Sequence, residues 1–103
     1  LAGDAMQIPD VFYDYCIWLH QDSYIFYGPM MEDIVAGALK KIRPERWPEL
    51  RAFVHELLTG PYSESDLMTI FRSTDADVTP RGPDGARAFL TYLRGLIDAG
   101  GQI

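Results

Sequence analysis

The residues best suited to chemistry are His20, Gln21 and Asp22, which stand in a row. A carboxylate beside an imidazole can orient the ring and raise its basicity, as a general acid–base pair requires. Such a pair also needs a nucleophile, and Ser23 and Cys16 are the nearest in sequence. Cys16 falls on an apolar helical stripe, where a thiol is inert. The other reading of these residues is structural. At a helix end His20 can donate to the last carbonyls, and Asp22 can cap the next turn. Metal chemistry has little material here, with one cysteine and two histidines, His20 and His55. The H-E-x-x-H and C-x-x-C spacings and the phosphate-cradling glycine loops are all missing from the sequence. The expectation is a protein with no catalytic residues, no metal and no cofactor.

A second concentration is aromatic. Residues 12–27 hold Phe12, Tyr13, Tyr15, Trp18, Tyr24, Phe26 and Tyr27, seven of the 13 aromatic residues in the chain. Tyr and Trp favour interfaces because each covers much area and keeps a polar tip. On a helical wheel Phe12, Tyr15, Cys16 and Leu19 share one face, at the spacing of a core stripe. Asp10, Tyr13, Asp14 and Ile17 fall on the opposite face. Asp10, Tyr13, Asp14 and Tyr24 are the expected partner-binding residues, and Ile17 is expected to lie under the loop that follows.

Charge sharpens that expectation. The formal net charge is −6, and residues 1–24 carry Asp4, Asp10, Asp14 and Asp22 with no lysine or arginine. These 24 residues therefore supply −4 of the −6. The imbalance points to a basic protein partner or to solubility alone, and it argues against nucleic acid. Glu45, Glu49, Glu56, Glu64 and Asp66 alternate with Arg43, Arg46, Arg51 and Arg72, which reads as a solvated surface with weak ion pairs. No apolar run reaches the about 18–20 residues of a membrane span, and no signal peptide opens the chain. The lone cysteine suits a reducing compartment, and a monomer or weak homodimer is expected.

The elements that must position these residues are all helical. The periodicity predicts helix one over about residues 9–20, then an aromatic loop over 21–28. Helix two begins at Pro29, with Glu32 and Asp33 in its first turn and Lys40 and Lys41 at its end, the order a helix dipole favours. Its apolar stripe is Met31, Ile34, Val35, Ala38 and Ile42. Helix three opens at Pro44 or Pro48, buries Leu50, Phe53, Val54, Leu57 and Leu58, and stops at Gly60-Pro61. Ser63 caps a short helix four, with Asp66 three residues on, and Leu67, Ile70 and Phe71 face inward. Residues 73–83 have turn composition. The last helix runs from about Asp84 to Ala99, buries Phe89, Leu90, Leu93, Leu96 and Ile97, and ends at Gly100-Gly101. Period-two alternation is absent, so the predicted fold is all-α: a compact single-domain bundle of about five helices. Residues 1–7 are expected to be a flexible N-terminus or a remnant of expression, with Met6 the expected native start. Residues 8–103 then form the domain.

The run from Phe12 to Asp22 resembles the opening of the contact-dependent growth inhibition immunity proteins. In that family an aromatic helix leads into a His-Gln-Asp motif, here His20-Gln21-Asp22. The stretch Ala86 to Ile97 resembles the family's closing helix, and the likeness covers most of residues 8–98. Two departures stand out. Ser23 replaces a usual tryptophan, and residues 73–83 lack the usual aromatic and cysteine character. The resemblance implies a bacterial, cytoplasmic protein that binds and neutralises a toxin domain delivered by a neighbouring cell. It also implies that an acidic, aromatic surface would block a basic active-site cleft. His20, Gln21 and Asp22 are carried over as motif residues that either touch the toxin or brace the first loop. The alternatives are a helical adaptor or homodimer subunit without a toxin, and a small enzyme using His20 and Asp22.

Overall fold

A computed structural model describes residues 7–19, 30–74 and 85–100. Among these residues there are five α-helices and no strand. Helix α1 spans Asp10–Ile17, α2 Met31–Leu39, α3 Trp47–Thr59, α4 Glu64–Arg72 and α5 Gly85–Asp98. A 3₁₀ turn over Pro44–Arg46 leads directly into α3. Both prolines proposed as the start of helix three are therefore used. Pro44 opens the turn and Pro48 sits in the first turn of the helix, where its missing N–H has no partner to lose.

Helix α5 lies at the centre, packed most extensively on α3 and also on α2 and α4, while α1 closes over α3 and α2. The stripes read from the sequence meet there. Phe12, Tyr15, Cys16 and Leu19 are fully buried, as are Leu50, Val54, Leu57, Leu67, Phe71, Leu90 and Leu93. Four phenylalanines from four helices form the middle. Phe12 stands 5.0 Å from Phe53 and 5.6 Å from Phe71, and Phe71 stands 5.2 Å from Phe89, in the tilted and edge-on geometries aromatic quadrupoles prefer. The Tyr15 hydroxyl donates to the Val35 carbonyl at 3.2 Å, which satisfies the one polar atom this ring brings into the core.

The edges of the elements differ from the periodicity reading. Helix α1 ends at Ile17, and the next two N–H groups bond three residues back, Trp18 to Tyr15 and Leu19 to Cys16. This tighter last turn still buries Leu19. Ile17, expected under the following loop, is 47% exposed. Val11 and Leu39 lie in the core although neither was assigned to it. Met31, Ile34, Leu58, Ile70 and Ile97 are only half-buried. A period-3.6 stripe fixes the centre of a helical face, and the neighbouring helices decide which flank is covered.

The caps follow the sequence closely. Asp66 N–H donates to Ser63 Oγ at 3.1 Å, and Ser63 N–H donates to Asp66 Oδ2 at 2.9 Å. Aspartate thus completes the reciprocal box that glutamate usually closes. Gly100 takes φ +72° after α5, the left-handed conformation that glycine adopts without strain.

Candidate functional site

Burying Phe12, Tyr15 and Cys16 forces the other side of α1 outward, because residues two positions away lie across the helix. Asp10 is exposed, and Tyr13 and Asp14 are half-buried at its flank. Three of the four expected partner-binding residues thus share one face. Tyr24 lies outside the described residues, as do His20, Gln21 and Asp22. Cys16 is buried, as its stripe requires, and no group of three metal-ligating side chains occurs among the described residues.

The 3₁₀ turn brings a cation to this face. Arg46 Nη1 donates to Asp14 Oδ2 at 2.6 Å. That hydrogen bond, with the added fields of Asp14, Glu49 and Asp10, raises the Arg46 guanidinium further above its usual pKa. Asp14 binds this arginine directly, and Glu49 and Asp10 act on it through their fields alone. The acidity of the first third survives in space, diluted by a residue 32 positions away from Asp14.

Past Asp14 the surface changes sign. An open groove of about 360 Å³ runs between the end of α1 and residues 41–46. Ile17, Trp18 and Ile42 give it apolar walls, and Lys41, Arg43, Arg46 and Asp14 line the remainder. Lys41 Nζ sits 4.9 Å from the centre of the Trp18 ring, within reach of a cation–π contact. Trp47 Nε1 donates to the Ile42 carbonyl at 2.9 Å and holds this wall in place. Sequence reasoning missed the groove. The available signal was the density of cations in residues 40–46, where Lys40, Lys41, Arg43 and Arg46 stand against Glu45 alone.

A second polar cluster lies where α3, α4 and α5 meet, and it is structural. Glu64 Oε2 accepts from Ala86 N–H at 2.5 Å and its Oε1 from Arg87 N–H at 3.2 Å, so it caps α5 from another helix. Arg87 in turn donates to the carbonyls of Leu58 at 3.2 Å and Tyr62 at 2.8 Å. These are free acceptors around the end of α3. Further along α5, Arg51 pairs with Asp98, and Arg94 donates to His55 Nδ1 at 3.2 Å. Arginine has no acceptor, so the His55 ring carries its proton on Nε2 in this contact. The Arg51 hydrogen bond is the main cause of the lowered pKa of Asp98.

Among known proteins, a family model described as CdiI immunity protein matches residues 15–97. No curated protein matches significantly, and no solved structure does. The matched stretch contains the groove residues from Ile17 onward and begins after Asp10, Tyr13 and Asp14.

Proposed function

Because the chain belongs to the CdiI immunity protein family, we propose that it works by binding one cognate toxin domain through the outer face of α1, and not by catalysis. The family match, spanning α2 to α5 and most of the core, is the observation that carries this reading. The α1 face supports it with Asp10 exposed, Tyr13 and Asp14 half-buried on the same side, and Arg46 bonded to Asp14. Such a face suits a toxin with a basic cleft. Its carboxylates steer the encounter, and Tyr13 supplies contact area once water is expelled. The toxin would thereby lose access to its substrate.

Within this proposal the protein acts in the cytoplasm of the cell it protects. No helix among the described residues is long and apolar enough to cross a membrane. His20, Gln21 and Asp22 brace the end of α1 or touch the toxin directly, and Tyr24 adds a further ring to the contact.

The test is co-expression with a candidate toxin domain, taken from the C-terminus of any large exported protein encoded next to this gene. The wild-type chain should restore growth and co-purify with the toxin domain. Failure of both would end the reading and leave a helical adaptor or homodimer subunit as its replacement. Asp10→Lys should weaken capture and flatten its dependence on salt, since this side chain is exposed on the proposed contact face.

A further inference from the structure

The groove beside α1 has a chemistry opposite to that of the chain around it. Its lining carries three cations, Lys41, Arg43 and Arg46, and one carboxylate, Asp14, a balance of +2 in a protein whose formal charge is −6. Arg46 is committed to Asp14, and Lys41 lies over the Trp18 ring. Arg43 is exposed and has no carboxylate partner among the described residues. The walls between these charges are apolar, and Ile17 is 47% exposed there. A single exposed isoleucine is ordinary. An exposed isoleucine in a concavity with an indole and a second isoleucine, ringed by cations, describes a specific occupant.

We propose that this groove takes an acidic peptide segment of the partner, in which one apolar side chain is flanked by carboxylates. The apolar side chain fills the space between Ile17, Trp18 and Ile42. One carboxylate reaches Arg43, and the other meets the Lys41 ammonium above Trp18. Guanidinium and carboxylate are matched in shape as well as charge, so Arg43 favours a planar bidentate contact. Phosphate is disfavoured because Asp10, Asp14 and Glu49 lie alongside and a nucleic-acid backbone would have to run past them. That the partner is a toxin domain rests on the family reading. The composition of the bound segment rests on the groove alone. Together with the acidic end of α1 the groove gives a footprint of two signs, which accepts a partner in one register and rejects a uniformly basic surface.

The experiment uses the full chain, labelled with ¹⁵N, and a synthetic peptide of leucine flanked by glutamates. Amide signals of Ile17, Trp18, Lys41 and Arg43 should shift saturably. A peptide with glutamine in place of glutamate should bind about tenfold more weakly, and Arg43→Glu should lower affinity for the acidic peptide by a similar factor. Toxin-domain affinity, measured on the same variant, should fall in parallel. Equal binding of both peptides, or no shift at these residues, overturns the proposal even if the toxin domain is captured normally. So does an oligoribonucleotide that saturates the same signals at lower concentration. Peptide binding without toxin capture would sustain the groove and remove the toxin.

Discussion

Two polar regions of this molecule use similar residues to opposite ends. At the junction of α3, α4 and α5, Glu64 and Arg87 direct their charged groups at backbone N–H and C=O atoms. Three of those contacts fasten a helix end, and the fourth, to Tyr62, fastens the connection between α3 and α4. On the α1 face, Asp10, Glu49 and Arg43 point at solvent, and the principal contact, Asp14 with Arg46, joins two side chains that are each more than a third exposed. The lesson is that counting charges in the sequence does not separate a fastening from the exposed face proposed for docking. What separates them is whether the partner atom is a backbone group that folding would otherwise leave bare.

Glu64→Ala should break the fastening most severely. Two N–H groups at the start of α5 lose a charged acceptor, at a cost of about 2 kcal/mol, and the melting temperature should fall by roughly 10 °C. A drop no larger than that of a surface substitution would contradict the structural role. Gly60→Ala should come next. An added Cβ would lie 2.5 Å from the Tyr62 ring and 2.9 Å from the Glu56 carbonyl oxygen. The backbone atom cannot step aside, so denaturant unfolding should reveal a loss of about 1–2 kcal/mol. Gly95→Ala has the opposite sign. Nothing lies within 4 Å of its Cβ position, and the helix interior gains about 0.5–1 kcal/mol.

A smaller effect belongs to the outer pair of α3 and α5. Asp98 has a depressed pKa because of Arg51, so its contribution is complete above the ordinary carboxylate range and fades as pH falls through the lowered value. Asp98→Asn should therefore leave the low-pH end of the stability profile unchanged and lower it slightly at neutral pH. A small effect on folding, about 0.5 kcal/mol, is expected from Asp10→Lys, because a cation replaces the acidic group in the first turn of α1, while association with the toxin domain should slow. If it unfolds the protein instead, the contrast between the two regions is wrong.

Local rules carried the sequence reading far. The Ser63–Asp66 box, the Gly100 stop, the centres of the buried faces of α3 and α5, and Phe12, Tyr15 and Cys16 on α1 are each specified within one or two helical turns. The site was legible only in part, for a physical reason. Asp10, Tyr13 and Asp14 could be placed outward by helix geometry alone. Arg46 meeting Asp14 depends on where the 3₁₀ turn docks, and Glu64 meeting Ala86 N–H depends on the angle between two helices. Neither leaves a mark in spacing. Ile17, 47% exposed, illustrates a related limit, because periodicity places an apolar residue on an outer face without saying whether anything packs over it.

An eight-residue helix cannot hold its shape alone in water. Helix α1 keeps its form because Phe12 is wedged between Phe53 and Phe71 and because Tyr15 is anchored to α2. The groups it displays outward are therefore set by atoms on its hidden side. Preorganisation of that outer face is a property of the phenylalanine cluster, and under the proposed function a substitution inside the cluster should weaken toxin capture by letting this one short helix fray.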